Sequence, residues 1–380
     1  MTNKYKNYYI FTWGCAMNTA DGERVATFYE NRGWKKTNDY KQADEIILIT
    51  CSVRKSAEDR VLGLVKNIAD EFDQHPEKFK NETKPKIILS GCMLHHGEKR
   101  LNELSDYFDE ISEISHITFD IKPKRLNKKH ALVPISTGCN SFCTYCVVPL
   151  ARGREKSRPE SEIIEEIKYL CENGYKEITL LGQNVNSYGL EKIGIGMRKI
   201  LDHKKTIPSN QSQYRKFQGK PPFVKLLEKV CAMPEIKKVH FMSSNPWDFY
   251  EELIELIAEN PKIDRQIHLP LQSGDNEILA KMNRGYTRQQ YLELVKKIKE
   301  KIPEVVLTTD IIVGFPGETD KQFENTVDLC RKVGFKIAYI GKYSTRPGTV
   351  SNKMYEDNVP IAEKKRRWKI LEELVNKPNL

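Results

Sequence analysis

The chain has 380 residues, which is long enough for two or three domains that each bury a core. Hydrophobic residues make up 39% of it and charged residues 30%, which excludes a chain that is disordered throughout. The formal net charge of +10 favours an anionic partner such as a nucleic acid, but it fits a solvated basic surface equally well. No apolar run is long enough to cross a bilayer, and the first residues do not resemble a cleavable leader, so we expect a cytosolic protein.

Strand-like and helix-like segments alternate from the start of the chain to about His130. The apolar runs are YYIFTW, EIILIT and KIILSG, and helical stretches lie at residues 18–32 and 53–72. This rhythm predicts an open parallel α/β sheet. Each run ends one or two residues before a cysteine, namely Cys15, Cys51 and Cys92. The three thiols should therefore emerge at the carboxyl edge of one sheet, where such sheets bind ligands.

A second domain follows a basic segment at residues 120–130, which predicts a linker after a first domain at 1–119. The strand candidates of the second domain, at 131–350, are ALVPIST, KEITLLG, KVHFMS, RQIHLPL, VVLTTDIIVG and FKIAYIGKY. Six βα steps predict a partial (β/α)6 barrel, whose chemistry lies on the loops after the strands. Residues 190–220 are a basic insertion, and residues 351–380 predict a helical extension that carries the run KKRR at 364–367.

The cysteines Cys139, Cys143 and Cys146 follow the first strand of this second domain. Nine cysteines are too few for a disulfide scaffold in this chain, and clustered thiols in a reducing compartment indicate metal or redox chemistry. Closely spaced thiolates favour iron-sulfur clusters or zinc. Structural zinc usually has four ligands, and no fourth Cys or His lies in this loop. Three ligands leave one metal position open for an exchangeable ligand.

These cysteines and four later segments resemble a known family. The segments are GQNVNSYG from Gly182, LPLQSG from Leu269, TTDIIVGFPGET from Thr308 and YSTRPGT from Tyr343. With the cysteine loop and the earlier three cysteines, they are similar to the radical S-adenosylmethionine (SAM) methylthiotransferases over nearly the whole chain. The resemblance implies two 4Fe-4S clusters with catalytic ligands. Cys139, Cys143 and Cys146 would hold the cluster that coordinates SAM, and Cys15, Cys51 and Cys92 an auxiliary cluster that supplies sulfur.

The resemblance also implies a SAM site on the loops after the barrel strands. The cofactor-binding candidates are Gln183, Asn184, Ser243, Ser244, Gln272, Asp310 and Gly314. Each polar side chain fits a contact with nearby backbone equally well, and Gly314 fits a plain turn. The remaining cysteines follow apolar residues at helical spacing, which indicates packing in a core; they are Cys171, Cys231 and Cys330.

Three substrate classes are known in the family: N6-isopentenyladenosine beside the anticodon of tRNA, N6-threonylcarbamoyladenosine in tRNA, and an aspartate of a ribosomal protein. TCSVR from Thr50 and the loops at Gly138 and Leu180 resemble the group with the first substrate, whereas ARGR from Ala151 is closer to the second. The implied reaction is methylthiolation at C2 by radical C–H activation and sulfur insertion from the auxiliary cluster. The implied partners are tRNA and a low-potential electron donor such as flavodoxin or ferredoxin. We expect no membrane partner, and a monomer.

One departure from the family pattern and two other functional classes stay open. Family members usually end in a small β-barrel that binds RNA, and we expect that domain to be absent here. Either the chain is shortened, or the basic insertion and the KKRR run take over tRNA binding, although KKRR fits a solvated face equally well. The other classes are a radical SAM enzyme whose auxiliary cluster only transfers electrons, and a non-enzymatic iron-sulfur or zinc protein that binds RNA. Radical SAM enzymes whose auxiliary cluster only transfers electrons usually carry the cysteines of that cluster after the barrel.

Overall fold

The computed structural model describes most of the chain, in the ranges 5–51, 55–95, 102, 105–112, 123–125, 127, 129–193 and 219–380. Part of the expected linker at 120–130 and most of the basic insertion at 190–220 lie outside the described residues. The chain divides into two compact units. The first contains Met1–Lys128 and Val147–Gly153, and the second contains Lys129–Cys146 and Arg154–Leu380. A short segment that follows the cysteine loop thus belongs to the first unit, although its place in the sequence lies within the second domain.

The first unit is built on a sheet of five parallel strands in the order β2-β1-β3-β4-β5. The strands are β1 Asn7–Trp13, β2 Lys35–Lys36, β3 Glu45–Thr50, β4 Lys86–Gly91 and β5 Glu110–Ile111. Helices of this unit whose bounds the structure describes are α1 Ala16–Asn31, α2 Lys55–Gln74 and the short α3 Val148–Ala151. The expected open parallel α/β sheet is confirmed.

Helices cover the two faces of this sheet, which explains why the central strand β3 carries apolar side chains on both faces. Ile46 and Leu48 pack in a cluster with residues of α2, whereas Ile47 and Ile49 pack in a second cluster with Val25 of α1. Successive strand residues point to opposite faces, so a strand buried on both sides has no polar alternation. The continuous run EIILIT is the sequence form of that burial.

In its described residues, the second unit contains six parallel strands and a two-stranded antiparallel pair. The parallel strands are β6 His130–Pro134, β9 Glu177–Leu181, β10 Lys238–Phe241, β11 Gln266–His268, β12 Val306–Val313 and β13 Ile337–Lys342; the antiparallel pair is β7 Ser136–Thr137 and β8 Lys156–Ser157. The parallel strands form two groups, β6-β9-β10 and β11-β12-β13, which an isolated bridge between Val239 and Ile263 connects. Strands that neighbour one another in chain order are typical of a (β/α) barrel, and the expected partial barrel is confirmed.

Helices alternate with these strands along the chain. They are α4 Glu160–Glu172, α5 Pro222–Cys231, α6 Glu251–Glu259, α7 Asn276–Lys281, α8 Arg288–Lys301, α9 Asp320–Val333, α10 Val350–Met354 and α11 Ile361–Leu371. Capping boxes at Thr287 and Thr319 fix the starts of α8 and α9, and Gly334 ends α9 with a φ of 65°. None of the helices in the described ranges combines the length and apolar character that a membrane span requires.

Half of the KKRR run on α11 lies inside the second unit. Lys364 and Arg367 are each 3% exposed. Lys364 donates to the carbonyl of Tyr343 and pairs with Asp357, and Arg367 Nη1 donates to Glu318 Oε2 at 2.8 Å. The two interpretations of this run, RNA contact and a solvated face, are therefore wrong for Lys364 and Arg367.

Candidate iron-sulfur and SAM sites

The strands that precede the first three predicted ligands end at the same level of the first sheet. Trp13 pairs with Thr50, and Thr50 pairs with Gly91, at the carboxyl ends of β1, β3 and β4. The cysteines that follow these ends, directly or after one residue, are Cys15, Cys51 and Cys92. Because the carboxyl ends of parallel strands meet at one edge of a sheet, this register brings the three thiols to one edge.

Two glycines allow close packing at this edge. A Cβ on Gly14 would lie 2.9 Å from the Cβ of Cys51, and a Cβ on Gly91 would lie 2.6 Å from the carbonyl oxygen of Thr50. Gly14 also has a φ of 146° and Gly91 a φ of 95°, which side chains rarely tolerate. The loops that carry the thiols therefore pack against one another more tightly than any larger residue would permit.

The three thiols influence one another electrostatically. Burial raises the pKa of the Cys92 thiol to about 11, the Arg152 guanidinium opposes that rise, and Cys51 and Cys15 add to it. Cys15 itself is exposed, and its thiol donates to Asn18 Oδ1 at 3.3 Å. Binding of a metal removes the thiol protons, because the thiolate is the ligand. A site with an exposed entrance and two buried thiols is therefore compatible with insertion of a cluster.

A guanidinium lies against one sulfur of this first triad. Arg152 Nε donates to Cys92 Sγ at 3.1 Å, and Arg152 Nη2 donates to Asp21 Oδ2 at 2.8 Å. Asp21 belongs to α1 and is 1% exposed, and Arg152 directly follows α3 in the segment that packs with the first unit. A buried carboxylate thus holds a cation on the Cys92 sulfur.

The second triad occupies the loop after β7. Cys139 is buried, whereas Cys143 and Cys146 are half-buried. The Ser141 N–H donates to Cys139 Sγ at 3.4 Å, and the Cys146 N–H donates to the carbonyl of Cys143 at 3.0 Å. Burial, together with Glu155, raises the pKa of the Cys139 thiol to about 12. The backbone turns within the loop at Phe142, whose φ of 49° is uncommon for a residue with a side chain.

A half-buried arginine also contacts this second triad. Arg284 Nη1 donates to Cys143 Sγ at 3.3 Å, and Arg284 Nη2 donates to the carbonyl of Pro270 at 3.1 Å. The guanidinium carbon lies 4.6 Å from the ring centroid of Trp247, a distance at which a cation attracts the ring face. Each triad therefore has one sulfur that accepts a hydrogen bond from an arginine.

Three of the predicted SAM-binding residues carry a buried polar atom with no hydrogen-bond partner among the residues that the structure describes. These atoms are Gln183 Oε1, Ser244 Oγ and Gln272 Oε1. The residues follow β9, β10 and β11, so they lie on loops at the carboxyl ends of successive barrel strands. An unpaired buried polar group costs about 1–3 kcal/mol, which makes such atoms candidates for ligand contacts.

The backbone at two of the candidates is strained. Ser243 has a φ of 68° and Gln272 a φ of 66°, in the left-handed region that residues other than glycine rarely adopt. Strain of this kind concentrates at functional sites, where the surrounding structure maintains it. The Gln272 backbone is held by β12, because its N–H donates to the carbonyl of Asp310 at 2.8 Å.

Partners within the protein account for the other candidates. Asn184 Nδ2 donates to Asp248 Oδ2 at 2.6 Å, and Asp310 Oδ2 lies 3.0 Å from His268 Nε2. The Gly314 N–H donates to Glu318 at 2.6 Å, and a Cβ on Gly314 would collide with the side chain of Lys364. Contacts of Asn184, Asp310 and Gly314 with SAM stay predictions.

The three thiols of each triad fit an iron-sulfur cluster. Three thiols are soft ligands, which select iron in clusters or zinc over hard cations. Within the described ranges, no three Cys, His, Asp or Glu side chains are close enough to share one metal ion. Cysteines that hold a 4Fe-4S cluster bind different iron atoms, so they do not need to meet at one point.

Comparison with known proteins identifies the family. The model of the Radical SAM superfamily matches residues 133–330, and the model described as Uncharacterized protein family UPF0004 matches residues 7–112. A tRNA-2-methylthio-N(6)-dimethylallyladenosine synthase from Thermoanaerobacter pseudethanolicus is 40% identical over 100% of this chain and 80% of its own length. The chain belongs to the radical SAM methylthiotransferases. The expected family is confirmed.

Other relatives carry the same name. A tRNA-2-methylthio-N(6)-dimethylallyladenosine synthase from Clostridium botulinum is 40% identical over 98% of this chain and 82% of its own length. Another, from Carboxydothermus hydrogenoformans, is 39% identical over 98% of this chain and 83% of its own length. These radical SAM methylthiotransferases therefore align with both units of the chain.

Solved structures of radical SAM enzymes share the fold. The methyltransferase TsrM from Kitasatospora setae, with cobalamin and a 4Fe-4S cluster bound, has a TM-score of 0.56 at 14% identity and covers 92% of this chain and 77% of its own. The cobalamin-dependent radical enzyme OxsB has a TM-score of 0.51 at 10% identity and covers 97% of this chain and 56% of its own. At these identities the likeness concerns the fold alone.

Sequence reasoning about this methylthiotransferase missed Arg284 and Asp21, and it used Arg152 only as part of the ARGR string. No motif marks Arg284, which reaches Cys143 from a point 141 residues later in the chain. The three remaining cysteines fit their expected role. Cys231 and Cys330 lie in the core of the second unit, and Cys171 packs at its edge.

Proposed function

We propose that this chain methylthiolates C2 of N6-isopentenyladenosine beside the anticodon of tRNA, by radical C–H activation and sulfur insertion. The observation that carries the proposal is the pair of cysteine triads, one at the carboxyl ends of three parallel strands of the first unit and one on the loop after β7 in the second unit. A reaction that both activates a C–H bond and inserts sulfur needs two such ligand sets. The names of the aligned relatives support the choice of nucleoside.

The six cysteines would hold two 4Fe-4S clusters. Cys139, Cys143 and Cys146 would hold the cluster that coordinates SAM through its amino and carboxylate groups. The residues that would hold the auxiliary cluster are Cys15, Cys51 and Cys92. When bound, the clusters and SAM supply the radical and the sulfur of the reaction.

The protein's own contribution is to bind and orient these groups. The unpartnered atoms of Gln183, Ser244 and Gln272 supply hydrogen-bonding capacity to SAM at the carboxyl ends of the barrel strands. Arg284 fixes the orientation of the Cys143 sulfur, because its guanidinium is itself held by Pro270 and Trp247. Hydrogen bonds from neighbouring residues to a metal ligand orient that ligand and stabilise its charged form.

The charge of the chain supports an RNA substrate. A net charge of +10 favours neutralisation of phosphates, and the basic insertion at 190–220 would contribute to it. An adenosine in a single-stranded loop is unstacked more easily than one in a duplex, which exposes its C2–H.

We further propose a low-potential flavodoxin or ferredoxin as the electron donor, a monomeric enzyme and a cytoplasmic location. Reduction of a 4Fe-4S cluster requires such a donor. A tRNA substrate and six ligand cysteines that must stay reduced support the location.

Mass spectrometry of tRNA nucleosides tests the proposed substrate. tRNA from cells that lack this protein should contain N6-isopentenyladenosine without its methylthio group, and expression of the chain should restore that group. A methylthio group that appears only on N6-threonylcarbamoyladenosine, or only on a ribosomal aspartate, would reject the proposed nucleoside in favour of that alternative.

Anaerobic reconstitution tests the proposed cofactors. About eight irons per chain and reductant-dependent cleavage of SAM are expected. Binding of zinc, or of about four irons, would contradict two 4Fe-4S clusters. Eight irons without sulfur insertion would instead support an auxiliary cluster that only transfers electrons.

A further inference from the structure

The Arg152 guanidinium has two partners whose roles differ. Its Nη2 donates to Asp21 Oδ2 at 2.8 Å in a buried ion pair, and the other oxygen of Asp21 lies 3.7 Å from Arg24 Nη1. Its Nε is then free to donate to Cys92 Sγ at 3.1 Å. Because the guanidinium is planar and forked, the bond to Asp21 fixes the direction in which Nε points. Asp21 thus aims Arg152 at the sulfur.

The surroundings keep this arrangement in place. The side chain of Asp21 is 2% exposed and that of Arg152 is 11% exposed, so water competes weakly for either group. The Arg152 N–H also donates to the carbonyl of Val148, which ties its backbone to the end of α3. The donor is therefore presented by a fixed backbone and a fixed side chain.

A cation that donates a hydrogen bond to a cysteine sulfur changes the properties of a cluster bound there. Hydrogen bonds to the sulfurs and net charge are among the factors that set the reduction potential of iron-sulfur clusters. A positive charge stabilises the reduced, more negative form, so its removal makes the potential more negative. Partners of this kind also contribute to retention of the metal.

We propose that Arg152 is a positioning residue for the first triad. Its guanidinium holds the Cys92 sulfur in place as a ligand and raises the reduction potential of the cluster on Cys15, Cys51 and Cys92. This inference rests on the proposed function, because it requires a cluster at that edge. It gives the ARGR segment a role in the sulfur-supplying half of the protein.

The test isolates the first triad in the full-length chain. Replacement of Cys139, Cys143 and Cys146 by alanine removes the other ligand set, and anaerobic reconstitution should then give about four irons per chain. An electrochemical titration measures the midpoint potential of that cluster, and a chelator measures the rate at which it loses iron. Neither measurement depends on turnover.

Three further substitutions are made in this background. Arg152→Met removes charge and donor at similar volume, and it should shift the midpoint potential to a more negative value and speed iron loss about 10- to 100-fold. Arg152→Lys keeps the charge but lacks the forked guanidinium. Its midpoint potential and its rate of iron loss should lie between those of the protein with Arg152 and those of Arg152→Met. The matched control is Arg32→Met, since Arg32 caps the opposite end of the 16-residue α1 from Cys15. That length is about 24 Å, and the control should leave both readouts unchanged.

The outcomes separate the inference from the proposed function. If the protein with Arg152 intact binds no iron, the proposed function and the inference both fail. If it binds iron but Arg152→Met leaves the potential unchanged, the inference alone is overturned. Faster iron loss in Arg152→Met without a shift in potential, and without recovery in Arg152→Lys, would make Arg152 a purely structural residue and would also overturn the inference.

Discussion

Arg284 Nη1 lies 3.3 Å from the sulfur of Cys143, although the two residues are 141 positions apart in the chain. We predict that Arg284→Met lowers the rate of reductive SAM cleavage about 10- to 100-fold, because Cys143, a proposed iron ligand, loses the partner that orients it and offsets its charge. The expected accompanying change is a more negative midpoint potential for the SAM-coordinating cluster.

Arg288→Met is the control for this variant. Arg288 pairs with Asp328 and donates to the carbonyl of Gly274, so its loss removes a half-buried arginine from the same unit. Anaerobic SAM cleavage assays with dithionite as the reductant compare the two. Equal losses of rate in Arg284→Met and Arg288→Met would mean that general destabilisation, and not the contact with Cys143, explains the effect.

Ser244 and Ser273 provide a matched pair for the SAM site. Ser244 Oγ is buried with no partner among the described residues, whereas Ser273 Oγ lies 3.4 Å from Thr326 Oγ1 and accepts from the Asp275 N–H. Ser244→Ala should weaken SAM binding about 10-fold, equivalent to about 1.4 kcal/mol, and leave the melting temperature of the SAM-free protein the same or higher. Ser273→Ala should lower stability by about 1 kcal/mol and leave SAM binding unchanged.

Equilibrium dialysis with SAM and thermal unfolding without it measure the two effects separately. The prediction requires that one variant loses SAM binding and the other loses stability. If Ser244→Ala destabilises the SAM-free protein and binds SAM normally, Ser244 has a structural partner and does not contact SAM.

Substitution of one cysteine from each triad should separate the two half-reactions. Cys143→Ala should abolish SAM cleavage, because the cluster that binds SAM loses a ligand. Cys51→Ala should spare SAM cleavage and abolish formation of the methylthio group, because Cys51 belongs to the other unit. Detection of 5′-deoxyadenosine and of the modified nucleoside in the same reaction measures both. Equal loss of both products in the two variants would contradict this division.

The place of Cys15, Cys51 and Cys92 at one sheet edge was predictable because the information that locates each strand end is local. An apolar run followed by a cysteine identifies a strand end, and the register of Trp13, Thr50 and Gly91 then brings the ends to one level. Arg152 and Arg284 were not predictable in this way. They approach their sulfurs from 60 and 141 residues away, and such contacts depend on the packed fold.

The KKRR run shows a different limit of sequence reasoning. As a charge run it indicates a basic surface, but Lys364 and Arg367 are three positions apart on α11 and therefore share one helix face. That face is buried, and the carboxylates of Asp357 and Glu318 pair with its two cations. Helical periodicity places the two residues together, whereas only the positions of Asp357 and Glu318 reveal that the shared face is buried.

His130 should make the stability of the second unit depend on pH. Burial and the neighbouring His240 lower the pKa of His130 below its ordinary value of 6.5, and its Nε2 lies 2.6 Å from Thr179 Oγ1. The unfolded chain then binds more protons than the folded chain between the two pKa values. The stability that His130 contributes is therefore present above pH 6.5 and is lost as the pH falls through that window.

His130→Gln removes this titration and retains a group that can bond to Thr179. The melting temperature of the variant should fall less between pH 7.5 and pH 5.5 than that of the unmodified protein. His75→Gln is the control, because the His75 side chain is 46% exposed on the first unit. If the melting temperature of His130→Gln falls as steeply as that of the unmodified protein, protonation of His130 does not limit stability in this range.

Arg366 and Arg367 are neighbours with the same charge and different surroundings, so they separate a structural role from RNA binding. Arg367 is 3% exposed and pairs with the buried carboxylate of Glu318, whereas the Arg366 side chain is 50% exposed and pairs with Glu363 and Asp320. Arg367→Met should cost about 3–5 kcal/mol of unfolding free energy, because it leaves Glu318 buried without its cation. Arg366→Met should leave the free energy of unfolding nearly unchanged, because solvent screens its exposed ion pairs.

Urea denaturation followed by tryptophan fluorescence measures both costs, and tRNA affinity at fixed salt measures the other role. Each variant removes one positive charge, so the long-range attraction to phosphate is the same in both. A similar stability loss in the two variants would contradict the burial of the Glu318 pair. A larger loss of tRNA affinity in Arg366→Met than in Arg367→Met would assign RNA contact to the exposed face of α11, because only that face keeps a basic side chain accessible to phosphate.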